Sequence, residues 1–235
     1  MRRGIFCIIN QVNQLQNTLK STLNFTDYFC SMFFLQTTAS WFTGIEPFDR
    51  KLFFLINNKM ANSFCDTVMP FLRESNLWVP LYLFMLVFVI VNFGKRGWAW
   101  ILFAACTAAA CDLVSSRLIK EHIFRLRPGN NPELADHVRT LVNYYPQSSS
   151  FTSSHATNHF GLAMFIVFTL QPYTSKWIRL FFVWAAIICF AQVYVGVHYP
   201  FDVLTGGLLG CLLGYIIALF FNNYAGLISL QNKRA

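Results

Sequence analysis

The chain is short of charge. Asp, Glu, Lys and Arg make up only 12% of its 235 residues, about half the share that soluble domains usually carry. Apolar residues make up 55%, aromatic residues 17%, and the mean hydropathy is +0.45. This scarcity of charge excludes an ordinary water-facing surface and favours helices that face lipid. The length favours a single domain.

Acidic residues are scarcer than basic ones. Ten Asp and Glu stand against 18 Lys and Arg, which gives a net charge of +8. Such an excess is typical of the cytoplasmic flanks of membrane helices, of attraction to anionic lipid, or of an anionic substrate. Nucleic acid is not an expected partner, because the sequence has no soluble basic domain to hold it.

Paired cysteines are missing as well. The seven Cys include no CxxC pair, and those at 106, 111, 189 and 211 lie in apolar runs, where cysteine behaves as a small hydrophobe. We therefore expect neither disulfides nor thiol catalysis.

Five segments are apolar over close to the ~20 residues that a membrane crossing needs: 77–93, 98–118, 155–170, 177–195 and 202–221. The predicted fold is all-α, a polytopic membrane helix bundle of about five transmembrane helices, with a sixth crossing in 24–45 left open. Residues 48–72 mix Phe and Ile with charge and predict an interfacial amphipathic helix. No cleavable signal peptide is expected, because the polar stretch 11–20 follows the basic Met1-Arg2-Arg3.

These segments predict one membrane domain over 46–223, made of the interfacial helix (46–75) and the transmembrane bundle (76–223). Residues 1–45 are an N-terminal extension of uncertain structure, and 224–235 are a short cytoplasmic tail. In the last helix Gly206, Gly210 and Gly214 share one face, a spacing that lets helix backbones approach closely in lipid.

Two polar stretches, 120–154 and 192–202, interrupt the apolar segments. In a chain of five crossings, the end of the second helix, the start of the third and the end of the fourth lie on one membrane face. Clusters that are distant in sequence are therefore expected to converge there.

The residue types in these stretches suit phosphoryl transfer. Lys120 and Arg127 supply positive donors for a phosphate. Ser153 is a good N-cap, and the free N–H groups of the helix that follows bind phosphate oxygens. Of two histidines, His155 and His198, one would attack phosphorus and the other would protonate the leaving alkoxide. Asp202, four residues after His198, would fix the imidazole tautomer.

At these positions the chain resembles the type 2 phosphatidic acid phosphatase superfamily, whose fold is shared with vanadium haloperoxidases. Lys120 and Arg127-Pro128 match its first motif, Lys, six residues, Arg-Pro. Residues 152–155 read Thr-Ser-Ser-His where the family has Pro-Ser-Gly-His. Residues 191–202 match the third motif, Ser-Arg, five residues, His, three residues, Asp, at its His and Asp but not at its Ser and Arg. The resemblance covers roughly 49–221.

The resemblance implies a role for each matching residue. It implies that His198 is phosphorylated, that Asp202 orients it and that His155 is the general acid. The residues that it places around the phosphate are Lys120, Arg127, Ser153, Ser154 and Gln192. It implies a lipid phosphate or lipid pyrophosphate as substrate, with no metal or other cofactor. The expected location is the bacterial inner (plasma) membrane, with the site on the extracytoplasmic face.

The main departure from the family pattern is Gln192, which replaces an Arg that contacts phosphate. Exchanging a charged hydrogen bond for a neutral one costs ~1–2 kcal/mol, or about five- to thirtyfold in rate. Arg125 and Arg139, in the same loop as Arg127, are candidates to compensate. Ser154 in place of Gly and Thr152 in place of Pro are smaller departures.

Two other functions stay open. The four-residue spacing of His155/His159 and of His198/Asp202 also fits a zinc-dependent membrane hydrolase, which leaves Lys120 and Arg127 unexplained. Gln192 favours a lipid or anion transporter, or a catalytically silent relative that binds phospholipid.

Some details of neighbours, orientation and substrate stay open too. His159 is either a partner of His155 or a plain lining residue, and Asp112 is predicted to bond Ser116. The substrate choice among phosphatidic acid, phosphatidylglycerol phosphate, polyprenyl diphosphate and lipid A phosphates, and the oligomeric state, stay undecided. The cations expected on the cytoplasmic side are Lys95, Arg96, Lys176, Arg179, Lys233 and Arg234.

Overall fold

The computed structural model describes residues 42–144 and 146–228. The compact unit that begins at Ile45 carries all the motifs introduced above. Residues 1–41, which hold most of the predicted extension and of the sixth crossing, lie outside the described residues, as do the last residues of the predicted tail.

Helices make up all the regular structure of the described residues, which confirms the all-α class. Two of these helices continue into π-helical turns, at Leu55–Lys59 and Val114–Ile119, and two begin with 3₁₀ turns, at Ser75–Trp78 and Lys176–Arg179. The helices are α1 (Glu46–Phe54), α2 (Ser63–Leu72), α3 (Val79–Phe93), α4 (Lys95–Leu113), α5 (Ser154–Leu170), α6 (Leu180–Tyr194) and α7 (Pro200–Tyr224).

The amphipathic stretch divides into two helices, α1 and α2, where a single interfacial helix is predicted. The break lies near Asn62, whose extended backbone ends the helical path and whose side chain accepts a hydrogen bond from Cys65 N at 2.9 Å. An asparagine in this position satisfies a free N–H of the new helix and so starts α2.

Within residues 42–144 and 146–228, four stretches are long and apolar enough to cross a membrane: Ser75–Phe93, Lys95–Ile119, Lys176–Tyr194 and Pro200–Tyr224. They coincide with four of the five predicted crossings. The fifth predicted crossing, 155–170, falls on α5, which has only 17 residues. Ten residues of α5 are buried inside the protein, so this short helix lies in the interior of the bundle.

The most extensive helix contact in the described chain joins α5 to α7, and it uses the predicted glycine face. A Cβ atom added at Gly210 would lie 2.2 Å from the carbonyl oxygen of Thr157, and one at Gly214 would lie 2.2 Å from that of Gly161. Backbone therefore meets backbone along this contact, as small residues permit.

The N-terminal ends of α5 and α7 lie side by side. Ser153 N donates to Asp202 O at 3.1 Å, and a Cβ atom at Gly206 would come within 2.7 Å of Ser153 O. α7 begins at Pro200, whose missing N–H costs nothing in a first helical turn. The contact thus brings the second and third motifs together.

Candidate active site

Three distant stretches of the chain meet at the ends of α5 and α7. Arg127 from the first motif lies with its Nη1 3.2 Å from His198 Nε2. Ser150, just before the second motif, donates to Asp202 Oδ2 at 2.5 Å. The basic, Ser/His and His/Asp clusters therefore lie in one place.

His198 is buried in the short turn between α6 and α7, with 2% of its surface exposed. Its backbone N–H, and that of Val197, donate to the carbonyl of Gln192. Because Arg127 is always a donor, His198 Nε2 must accept, which places the ring proton on Nδ1. Burial lowers the pKa of His198 to about 4; Asp202 opposes this shift, and the positive charges of Arg127 and Lys120 add to it. The imidazole is therefore neutral at neutral pH, and its unprotonated Nε2 accepts from Arg127.

Ser150 lies between His198 and Asp202. His198 Nδ1 is 3.9 Å from Asp202 Oδ2, too far for a direct hydrogen bond, and 3.5 Å from Ser150 Oγ. The same carboxylate oxygen accepts from Ser150 and, at 3.1 Å, from Tyr199 N. The predicted pairing of His198 with Asp202 thus runs partly through a hydroxyl. Nothing in the sequence singles Ser150 out, because it lies in a run of serines.

Arg125 joins Asp202 to helix α1. Its Nη1 donates to Asp202 Oδ1 at 2.5 Å, and its Nη2 donates to Asp49 Oδ2 at 2.7 Å. All three side chains are at most 6% exposed, and the guanidinium also lies 4.1 Å from the ring centroid of Tyr199. Burial alone would lower the pKa of Arg125, but Asp202 and Asp49 outweigh it and raise that pKa. Sequence reasoning misses Asp49, which belongs to α1 and to no motif.

Arg127 and Lys120 carry charge that no carboxylate in the described chain balances by direct contact. The hydrogen bonds of Arg127 run to uncharged groups: the carbonyls of Ser148, Ser149 and Val197, the hydroxyl of Ser148, and His198. Burial lowers the pKa of Arg127 to about 10 and that of Lys120 to about 8. Two partly desolvated cations beside a neutral imidazole favour binding of an anion.

Helix α5 begins at the site as predicted. Ser153 is its N-cap, and its Oγ accepts from Ala156 N at 3.4 Å. Ser154 Oγ lies 3.0 Å from Ser116 Oγ, and Ser116 donates to Asp112 Oδ1 at 3.1 Å, which confirms the predicted Asp112–Ser116 bond. This chain of polar contacts fixes the start of α5 against the end of α4.

His155 lies in the first turn of α5, two residues after the N-cap Ser153. His159 Nδ1 lies 2.7 Å from the carbonyl oxygen of His155, and the two rings stack with centroids 6.2 Å apart. His159 also packs edge-on against Trp184. His159 therefore supports His155 from one turn below.

Gln192 is fully buried, and neither its amide nitrogen nor its amide oxygen has a hydrogen-bond partner among the described residues. Neither arginine expected to replace the missing charge is available. Arg125 is held by two carboxylates, and Arg139 bonds Asp66 Oδ2 at 2.6 Å and Asn57 O at 2.9 Å. The expectation that one of them compensates for Gln192 therefore finds no support in the structure.

Sequence comparison places the chain among known phosphatases. The model of the PAP2 superfamily matches residues 97–225. The lipid A 4'-phosphatase of Bacteroides thetaiotaomicron is 31% identical over 166 residues, which cover 69% of this chain and 72% of that protein. The undecaprenyl-diphosphatase of Sulfolobus acidocaldarius is 28% identical over 176 residues, 72% of this chain and 76% of that protein.

Solved structures agree on the fold. The crystal structure of a transmembrane PAP2 type phosphatidylglycerolphosphate phosphatase from Bacillus subtilis aligns with a TM-score of 0.57 at 22% identity, over 82% of this chain and 94% of that one. LpxE of Aquifex aeolicus aligns with a TM-score of 0.52 at 25% identity, over 72% and 93%. The family match spans more than half of the chain, and the described helices include four apolar enough to cross a membrane. The chain therefore belongs to the PAP2 superfamily and is an integral membrane lipid phosphatase.

Proposed function

We propose that the enzyme removes a phosphate from a membrane lipid through a phospho-histidine intermediate on His198, without a metal. The observation that supports this most directly is the state of His198. Its Nε2 lone pair faces the Arg127 guanidinium at 3.2 Å, and its Nδ1 faces the Ser150 hydroxyl. A buried, neutral, oriented imidazole beside a cation is what attack on a bound phosphate requires.

In the first step His198 Nε2 forms a bond to phosphorus while the bond from phosphorus to the lipid oxygen breaks. His155, which is protonated when the phosphate dianion binds beside it, donates that proton to the leaving oxygen. The phosphorylated imidazole keeps its Nδ1 proton, and Asp202 stabilises the positive charge through Ser150. In the second step His155 takes a proton from water, the water oxygen bonds to phosphorus, and inorganic phosphate leaves His198.

The phosphate oxygens are held by charge and by helix α5. Lys120 and Arg127 supply the cations that the described chain leaves unbalanced. The N–H of Ser153 itself donates to Asp202 O, so the phosphate is held by the backbone N–H groups that follow it, from Ser154 onward, and by the positive end of the helix dipole. The unpaired amide nitrogen of Gln192 is a further donor.

The contacts of the histidines argue against the zinc-hydrolase alternative. His198 Nε2 faces a guanidinium, which repels a metal ion, and His159 Nδ1 faces a carbonyl. No group of three or more His, Cys, Asp or Glu side chains within the described residues is arranged to hold a metal. Activity that survives dialysis against a chelator is the expected result. Loss on dialysis and recovery with zinc would overturn the metal-free mechanism.

We propose α5 as the fifth crossing, with the site on the extracytoplasmic face of a bacterial inner membrane. Five crossings place the ends of α4 and α6 and the start of α5 on one side, which agrees with the hydrogen bonds that join Ser154 to Ser116 and Ser153 to Asp202. The division proposed for the chain keeps 46–75 at the interface, the bundle over 76–223 and a cytoplasmic tail. A cysteine placed at Lys95 should resist labelling from outside intact cells; labelling there would reverse this orientation.

The names of the relatives support a substrate class. Two of them, from Bacteroides thetaiotaomicron and Porphyromonas gingivalis, are lipid A 4'-phosphatases, and others are undecaprenyl-diphosphatases. We propose a lipid phosphate or lipid pyrophosphate, with a lipid A phosphomonoester favoured, because the 31% identical relative acts on lipid A.

The test is phosphate release by the purified protein from lipid A, phosphatidic acid, phosphatidylglycerol phosphate and a polyprenyl diphosphate. His198→Ala should release none, whereas His137→Ala, which alters an exposed loop histidine, should match the wild type. Acid-labile labelling by a ³²P-phosphorylated lipid should appear in the wild type and not in His198→Ala. Release from no lipid would favour a silent, lipid-binding relative. Labelling that persists without His198 would refute the proposed nucleophile.

A further inference from the structure

Arg73 is a buried cation that no motif contains. It follows α2 directly, and only 2% of its surface is exposed. Its Nη2 donates to the hydroxyl of Tyr144 at 2.7 Å, and its Nη1 pairs with Glu74 Oε1 at 3.2 Å. Its Nε–H has no hydrogen-bond acceptor among the described residues. A buried N–H of a charged group without an acceptor is costly, so it calls for a ligand.

The position of Arg73 links it to the active site. Its guanidinium lies 5.6 Å from the ring centroid of Tyr144, and Tyr144 and Arg127 line one small cavity. The positive charge of Arg73 also helps to lower the pKa of Arg127. Through its hydrogen bond to Tyr144, Arg73 therefore lies beside the cavity that Tyr144 and Arg127 line.

The charges around Arg73 are poorly balanced. The buried Arg125 has two buried carboxylates, Asp49 and Asp202. Arg73 has only Glu74, whose side chain is 56% exposed and therefore well screened by water. With Lys120 and Arg127, the site holds three desolvated cations against little fixed negative charge. Such an excess of buried positive charge favours binding of an anion.

We propose that Arg73 is a phosphate-binding residue of this site and supplies the guanidinium charge that Gln192 does not. This role for Arg73 rests on the phosphatase reaction proposed above. The unpaired Nε–H is the donor that Arg73 presents to a phosphate, while Tyr144 and Glu74 hold its two Nη nitrogens in place. The cation thus comes from the segment between α2 and α3 instead of from the end of α6.

Four variants separate phosphate binding from a structural role. Arg73→Ala should lower kcat/KM on the preferred lipid phosphate about ten- to a hundredfold, and Arg73→Lys should fall between it and the wild type. Tyr144→Phe, which leaves the charge, should lose far less. Arg139→Ala, whose guanidinium pairs with Asp66, is the matched control and should keep near wild-type kinetics.

The decisive variant is the double mutant that combines Arg73→Ala with Gln192→Arg. Gln192→Arg in the Arg73→Ala background should recover at least half of the lost kcat/KM on a logarithmic scale, because it returns a guanidinium to the same phosphate. A residue that only braces the fold would not be rescued from position 192. No rescue, together with an Arg73→Lys enzyme as poor as Arg73→Ala, would overturn the proposal.

Binding of inorganic phosphate, measured by calorimetry on the purified proteins, keeps the two proposals distinguishable. Arg73→Ala should bind it about tenfold or more weakly than the wild type, while Arg139→Ala should not. If the wild type hydrolyses no lipid, the proposed function fails, and phosphate binding still decides the role of Arg73. If Arg73→Ala does not fold, Arg73→Lys and Arg73→Gln take its place. Unchanged phosphate affinity in the folded variants would refute the assignment.

Discussion

Replacing Lys120 with arginine should change the pH dependence of the enzyme in a defined way. Burial lowers the pKa of Lys120 to about 8, with the neighbouring Arg127 adding to the shift. The ammonium is therefore lost on the alkaline side of neutrality: about one tenth remains charged at pH ~9 and about one hundredth at pH ~10. An arginine at this position keeps its charge throughout that range.

The size of the effect follows from the contact that is lost. A charge-assisted hydrogen bond to phosphate contributes ~1.5–3 kcal/mol, so the neutral amine should lower kcat/KM about ten- to a hundredfold. In the wild type, kcat/KM should fall about tenfold per pH unit above pH ~8 and then level off. In Lys120→Arg this alkaline limb should be absent up to pH ~10, even if the longer side chain lowers the absolute rate.

The assay is kcat/KM on one lipid phosphate in detergent micelles from pH ~6 to ~10. A phosphomonoester completes its own ionisation near pH ~6–7. Because both enzymes are assayed on the same substrate, this ionisation cancels in the ratio of their kcat/KM values. Lys176→Arg, at an exposed position, is the control and should keep the wild-type limb. If Lys120→Arg keeps it too, another group titrates and Lys120 does not hold the phosphate.

Three further outcomes follow from the same contacts. Asp49→Asn leaves the buried Arg125 with one carboxylate, so unfolding in detergent should show a loss of ~3 kcal/mol or more; Glu133→Gln, at the exposed pair with Arg50, should cost under ~1 kcal/mol. Gly210→Ala drives a methyl group into the carbonyl of Thr157 and should lower both the melting temperature and the activity, whereas Gly207→Ala meets only the Phe160 ring at 3.1 Å and should cost less. Burial lowers the pKa of His198 from 6.5 to about 4. The unfolded chain therefore binds the proton first, stability is complete above pH ~6.5, and up to ~3 kcal/mol is lost as the pH falls to ~4. The melting temperature of His198→Gln should depend less on pH over that interval. If its pH dependence equals that of the wild type, His198 is not the group that causes the loss of stability.

Hydropathy and motif spacing predict the features that depend on neighbours in sequence. The apolar segments mark the four described helices that are long and apolar enough to cross a membrane. Ser153 marks the start of α5, and the order of the polar clusters marks where they meet. The Gly206, Gly210 and Gly214 face marks the contact with α5. Each of these depends on a local period or cap, which a single sequence displays.

The features of the fold and of the site that the sequence does not predict depend on contacts between distant segments. Asp49 and Arg125 are 76 residues apart, and Arg73 meets Tyr144 across 71 residues, so no period in the sequence connects them. The division of the amphipathic stretch at Asn62 is decided by one side-chain cap, which composition does not reveal. The role of Ser150 is evident only from the structure, in which its hydroxyl donates to Asp202.

The backbone contact of α5 with α7 determines how the enzyme responds to bilayers of different thickness. A helix that does not match its membrane tilts, and two helices that touch carbonyl to glycine must tilt as one body. His155 begins the first of them and His198 lies just before the second. We therefore expect the protein backbone to set their separation and to keep it constant in thin and thick membranes alike.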